Sequence, residues 1–190
     1  ARISPRRACA ALAAAIRARG GVIEEGVTTE GPAIWATGAA GLAPFGGNGV
    51  KGQSALLDFA APEAPQVFAD GLHIVPHADG TVAIGSTSER EAADLGTDAQ
   101  LEALIDKARA ICPALVAAPV LDRWAGLRPR ARSRAPMVGP WPGRPGHYVA
   151  NGGFKIGLAM APECAGMLAD LILAGHDRIP PEFQPPRAAD

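Results

Sequence analysis

The sequence predicts a mixed α/β and α+β fold, in which both ends of the chain build an α/β layer around a strand-rich, mostly antiparallel insert. Three observations predict it. Residues 1–45 place an amphipathic helix pattern before short apolar strands, the grammar of an α/β layer. From Val50 the pattern becomes strands joined by turns, with two apolar runs flanking Asp79-Gly80, a strong hairpin signal. From Met137 a short strand, a glycine-rich loop and a long apolar helix return to the first grammar. The segments are therefore 1–45, 46–136 and 137–190.

Each element has its own reason. Ser4 suits an N-cap, and Pro5 suits the first helical position, where its missing N–H costs nothing. Ala8, Leu12 and Ile16, with Cys9 and Ala13 beside them, form one apolar stripe at helical spacing. Gly20-Gly21 ends that helix. Residues 22–23 and 33–36 then read as short buried strands, the second entering Thr37-Gly38. Residues 53–59 are strand-like, and Leu72–Pro76 with Thr81–Gly85 form the hairpin. Thr97 to Gln100 fits a capping box, followed by Leu101, Leu104, Ile105, Ala108 and Ile111 until Pro113 stops the helix. Val120–Arg130 reads as a strand, residues 147–150 as a short one, and Gly157–Ala174 as the last helix. Pro162 either delays that helix or kinks it. The proline-rich tail over 180–186 reads as extended.

Composition narrows the function. Apolar residues make up 48% of the chain and charged residues 19%, the balance of a folded globular protein. A formal net charge of −1 gives no electrostatic reason to expect nucleic acid or an anionic membrane. Cys9, Cys112 and Cys164 are widely spaced and lack a C-x-x-C, which reads as three reduced, mostly buried thiols in a reducing, cytoplasmic compartment. The first residues do not resemble a signal peptide. The apolar stretch over 157–175 has the length of a membrane span, but Glu163, Asp170 and Pro162 interrupt it, so it reads as a buried core helix. His73, His77, His147 and His176 lack metal-binding spacing. Ser86, Thr87 and Ser88 lack the context of a nucleophile elbow.

Three motifs remain. Gly47-Asn48-Gly49-Val50-Lys51-Gly52 spells G-x-G-x-x-G, but a strand follows it where a dinucleotide site needs a helix. It reads as a chance match. Arg128, Arg130, Arg132 and Arg134 recur at every second residue, so in an extended chain they share one face. Arg130, Arg132 and Arg134 read as solvated charges. Arg128 sits among Trp124, Leu127 and Pro129, where a guanidinium is either another surface charge or a fork for a carboxylate. Finally, Gly152-Gly153-Phe154-Lys155-Ile156-Gly157 opens the last helix. Its glycines are either turn punctuation or a close backbone approach to an anionic ligand at a helix N-terminus.

Taken in order, several blocks resemble one family. They are Ile3-Ser4-Pro5-Arg6-Arg7, Trp35-Ala36-Thr37-Gly38, Val50-Lys51-Gly52-Gln53, and the hairpin through Ser86-Thr87-Ser88-Glu89. Trp124-Ala125-Gly126-Leu127-Arg128-Pro129, the Gly152 loop, and the closing Phe183, Pro185 and Arg187 follow. Together they resemble the carboxyl-terminal portion of the FAD-dependent D-amino acid oxidase and glycine oxidase family. The resemblance implies oxidation of an amino acid or related amine, by hydride transfer from the substrate Cα to flavin N5. It implies substrate binding by Arg128 and Lys155. Cofactor contacts would come from Thr37, Gly38, Gly52, Gln53, Gly152, Gly153, Phe154, Lys155, Ile156 and Gly157. By the same token 1–45 and 137–190 are parts of the FAD domain, a partial Rossmann-like layer, and 46–136 is the substrate-binding insert. Relatives that bind flavin covalently do so through a cysteine near the position of Gly126, so non-covalent FAD is implied.

The chain also departs from the family. Ser133-Arg134 stands where Asp-Gly is usual, and the chain is shorter between Val27 and Ala33. No strand–G-x-G-x-x-G–helix unit is present, so the chain alone is expected to bind FAD weakly. The expected partners are a small amino-acid or amine substrate and either a missing nucleotide-binding half or a second copy. Two rivals are a non-catalytic remnant or assembly subunit without flavin, and a small ligand-binding module that uses Arg128 as its anion anchor.

Overall fold

The computed structural model describes residues 2–26, 30–90 and 94–186. In chain order the regular elements are α1 (Pro5–Ala18), β1 (Ala33–Trp35), β2 (Asn48–Asp58), β3 (Val67–Ala69), β4 (Leu72–Pro76), β5 (Thr81–Gly85), α2 (Ala99–Ile111), β6 (Val120–Arg130), β7 (Met137–Pro140), β8 (His147–Asn151) and α3 (Gly157–Ala174). The fold is mixed α/β with two mostly antiparallel sheets, and it falls into two compact units. One holds residues 1–25 and 51–126; the other holds 26–50 and 127–190. The first helix therefore groups with the strand-rich unit.

In the strand-rich unit the sheet order is β3-β4-β5-β2-β6. The hairpin forms as expected. His77 N–H donates to Thr81 O at 2.8 Å, and the Asp79 carboxylate accepts from the Thr81 N–H and hydroxyl. Gly80 takes the left-handed conformation the turn requires, with φ +84. Alternate residues Ile74, Val82, Ile84, Ala55 and Leu57 point to one side, where Leu101, Ile105 and Ala108 of α2 cover them. The cap of α2 lies one residue later than the sequence suggested. Asp98, not Thr97, accepts the Gln100 N–H at 2.9 Å.

Two expectations fail in this unit, the strand over 22–23 and the burial of Cys9, which is exposed. The helix α1 forms, but its apolar stripe is not buried: Leu12 is 65% exposed and Ile16 is exposed too. What holds α1 is polar, with Arg6 paired to Asp122 at 2.8 Å and lying 4.6 Å over the Trp124 ring. Residues 22–23 form no strand, and Val22 is 76% exposed. Apolar residues there are strand-like in composition, but no neighbouring strand among the described residues pairs with them.

In the other unit the sheet order is β1-β8-β7. β1 runs parallel to β8, with Trp35 opposite Val149, and β7 runs antiparallel, with Met137 opposite Asn151. Leu42, Phe45, Ala131, Met137 and Val149 make one small core. Val138, Cys164, Met167, Leu168 and Ile179 make another under α3. The helix α3 is not the buried core helix expected. Only Cys164, Met167 and Leu168 of it are buried, while Leu158, Ile172 and Leu173 are exposed, Leu173 by 84%. By length and composition α3 is the one helix among the described residues apolar enough to cross a membrane. Against this, Arg178 pairs with both Glu163 and Asp170 of the same helix. Pro162 does not delay the helix, which starts at Gly157. The tail carries a short 3-10 turn at Pro181–Phe183 in place of a fully extended run. Val27 and Arg187 lie outside the described residues.

Candidate functional site

An open apolar groove of about 710 Å³ lies within the second unit. Its floor is sheet, with Ile34, Ala36, Val138 and Ala150, and its wall is the exposed flank of α3. At one end sits the glycine loop. Gly152, Gly153, Phe154 and Gly157 line the groove, as do Gly38, Pro129 and Asn151.

Local backbone chemistry builds this end. Gly152 has φ +75, and a Cβ on it would approach Ala131 Cβ to 2.9 Å. Phe154 also takes a positive φ of 45, held by its N–H donating to Pro129 O at 2.8 Å. Arg130 bridges Gly153 in antiparallel fashion. Ile156 N–H then folds back to Gly153 O at 2.9 Å, and α3 begins. Its first intrahelical bond comes from Met160 to Ile156 O, so the amides of residues 157–159 point out of the helix end. No side chain caps them and no acidic residue stands in the first turn. This is an anion-accepting helix terminus beside an apolar slot.

The structure thus brings the end of β6 against the glycine loop. Arg128 is half-buried and directly precedes Pro129, the residue that binds Phe154. The arginine run does not continue on one face. β6 ends at Arg130, and Arg132 and Arg134 are exposed in the turn beyond it, Arg134 with φ +65. Arg130 is half-buried, not fully solvated. Thr37 is exposed beside Gly38 and does not line the groove. Lys155 and Ile156 point outward and are exposed, with the Lys155 ammonium 5.7 Å from the Phe154 ring centroid.

Gly52 and Gln53 lie in the strand-rich unit, where Gln53 is already engaged. It is fully buried, and its amide donates to Glu89 at 3.0 Å and Asp98 at 2.9 Å while accepting from Asp98 N–H at 2.9 Å. Lys51, also buried, faces Glu89 at 3.5 Å. Gly47 to Gly52 enters β2 without a helix behind it. Burial pushes the Glu89 carboxyl up, but hydrogen bonds from Thr87 and Gln53 and the Lys51 charge leave it below the usual carboxylate range. Asp98 is lowered too, first by Gln53 and then by the Gln100 amide. Both groups bind protons less readily when folded. Their stabilisation is present above about pH 4.5 and lost as pH falls through the folded values. Urea midpoints for the strand-rich unit should drop on acidification, and Glu89→Gln should flatten that dependence. An unchanged pH profile in the variant would refute the network's role.

Comparison with known proteins places these features in context. The family model "FAD dependent oxidoreductase" matches residues 1–171. The glycine oxidase of Pseudomonas aeruginosa is 38% identical over 132 residues, covering 68% of this chain and 36% of that protein. The glycine oxidase of Bacillus subtilis is 32% identical over 116 residues, covering 59% of this chain and 31% of that protein. The crystal structure of glycine oxidase from Geobacillus kaustophilus superposes with a TM-score of 0.71 at 27% identity, over 83% of this chain and 45% of that one. Iminodiacetate oxidase from a Chelativorans species shares the fold, with a TM-score of 0.74 at 22% identity. The chain spans about a third of the length of these curated relatives.

Proposed function

We propose, because the chain belongs to the FAD-dependent oxidoreductase family, that it is the carboxyl-terminal portion of an FAD-dependent amino-acid or amine oxidoreductase. The observation that carries this reading is the contact of the Arg128 strand with the glycine loop, through Phe154 and Pro129.

The residues fit one part of the cofactor. An apolar slot beside uncapped helix amides suits a flat ring with a negative edge. Gly153 allows no Cβ, which would fall 2.4 Å from Gly157 Cα. The pyrophosphate is not provided for, since no helix follows the Gly47 to Gly52 motif. Gly38, Gly152, Gly153, Phe154 and Gly157 would hold the ring, with Thr37, Lys155 and Ile156 around them. Gly52 and Gln53 would act indirectly, by fixing β2. When bound, FAD supplies the two-electron acceptor for amine oxidation. The chain's own part is to bind and orient. Arg128, with Lys155 nearby, would clamp the substrate carboxylate, and the apolar flank of α3 would exclude water. In this assignment 1–45 and 137–190 belong to the flavin domain and 46–136 to the substrate domain, in a cytoplasmic enzyme with free cysteines.

The remaining contacts would come from the portion of the relatives' length that is unmatched here. Among the described residues β1 is an edge strand with one side unpaired, and such an edge is a template for a strand from elsewhere. Ile34, Ile172 and Leu173, which line the groove, are left exposed. The chain alone should therefore bind FAD weakly, and it should gain affinity when the complementary portion is supplied. Two measurements check this together: flavin absorbance near about 450 nm after purification, and thiol labelling of Cys164, which lines the groove. In a Cys9→Ser, Cys112→Ser background, the complementary portion should slow Cys164 labelling. A yellow, stoichiometric FAD complex of the isolated chain would overturn the expectation. Protection that grows with the chain's own concentration would point to a second copy.

A further inference from the structure

Asn151 ends β8 and lines the groove. It makes two hydrogen bonds in opposite directions. Its Nδ2 donates to Gly38 O at 2.9 Å, and its Oδ1 accepts from Gly152 N–H at 2.8 Å. One partner can only accept and the other can only donate, so the orientation of the amide is fixed by chemistry. We infer that Asn151 is a positioning residue, a latch that holds the Thr37-Gly38 turn and the glycine loop at one separation across the mouth of the groove. What it positions rests on the flavin reading given above; the latch itself rests on geometry alone.

Three further features support a built latch. Its two ends grip Gly38 and Gly152, both in the left-handed conformation with φ +62 and +75, which glycine adopts without steric cost. The side chain springs from a residue whose backbone is fixed by pairing with Met137. Gly41 also packs flush beneath it. A Cβ there would lie 1.7 Å from Thr37 Oγ1 and 3.3 Å from Asn151 Nδ2. Because Asn151 occupies the Gly152 N–H, that amide does not serve a ligand. The amides left for an anion are those of the first turn of α3.

The chemistry of the latch gives a specific test. Asn151→Asp keeps an acceptor for Gly152 but sets a carboxylate oxygen against the Gly38 carbonyl. Protonation turns that oxygen back into a donor. Amide exchange at Gly152 and at the 37–39 turn should be followed in wild type, Asn151→Asp and Asn151→Ala, at about pH 8 and about pH 3, the lower value being one at which an aspartate of ordinary pKa is mostly protonated, each variant taken relative to wild type at the same pH. Asn151→Asp should lose protection roughly three- to tenfold at the higher pH and regain it at the lower one, while Asn151→Ala should stay unprotected at both. Lumiflavin, titrated against the amides of residues 153–158, should bind in the same order. Wild-type protection in Asn151→Asp at pH 8, or identical behaviour of the two variants at both pH values, would overturn the latch. Equal lumiflavin affinity in all three proteins would overturn its positioning role. If lumiflavin shifts no amide even in wild type, the ring site fails, and the exchange data still judge the latch.

Discussion

Arg128→Ala, made in the complete enzyme, is expected to lower kcat/KM for an amino-acid substrate by about thirtyfold to several thousandfold. The range follows from the roughly 2–5 kcal/mol lost when one member of a desolvated, hydrogen-bonded charge pair is truncated. Here the substrate carboxylate would enter an apolar slot and find no guanidinium. Arg128→Lys should recover only part of the loss, because an ammonium cannot form the two-pronged contact. Arg132→Ala and Arg134→Ala should change little, since both side chains are exposed beyond the end of β6. Arg130→Ala should also be mild, because the bridge to Gly153 is made by backbone and survives the substitution. The discriminating comparison pairs the amino acid with the same amine lacking its carboxylate. An equal penalty on both substrates would make Arg128 structural.

Local signals made much of this fold readable. The hairpin around Asp79-Gly80, α2, β6 and α3 all sit where periodicity and turn residues put them, because each is specified by its own sequence. Elements that depend on distant partners were not readable in this way. β3 has three residues, and β7 is a four-residue strand ending in Gly139-Pro140, too short for a period to show. Val22 and Ile23 have strand composition, but a strand exists only where another pairs with it. The burial of α3 was misjudged for the same reason, since an apolar face signals a partner without saying whether the same chain supplies it.

At the site, the glycine loop and Arg128 stood out in the sequence because glycine before a helix and arginine among apolar residues are locally unusual. Asn151 and Gly41 did not. Their importance lies in contacts to Gly38 and Thr37, and Gly38 lies more than a hundred residues from Asn151 in the chain. An asparagine beside two glycines reads as a turn. Gln53 carries a buried amide bonded to Glu89 and Asp98, which its likeness to a cofactor strand did not signal.

The glycine loop allows a sharp contrast between two substitutions four residues apart. A Cβ at Gly153 would meet Gly157 Cα at 2.4 Å and Gly157 N at 3.2 Å. Both are backbone atoms, so no side chain can swing aside, and the loop and helix start must separate. That strains the Phe154 bond to Pro129 and the Ile156 bond to Gly153, at a cost of about 1–3 kcal/mol for overpacking. A displacement near 1 Å at a reacting site can cost about a hundredfold in rate, so Gly153→Ala should lose stability and flavin affinity together. At Gly157 a Cβ would meet nothing within 4 Å, and its φ is not in the left-handed region. Gly157→Ala should therefore fold at least as stably as wild type, gaining up to about 0.5–1 kcal/mol from the lower backbone entropy of alanine. Its methyl would nevertheless stand at the groove, where Gly157 is a lining residue, so flavin affinity should fall without a loss of Tm. Melting temperatures and flavin Kd measured on both variants of the complete enzyme separate the two effects. If Gly153→Ala melts and binds flavin like wild type, the close packing of loop on helix is not what shapes the ring site.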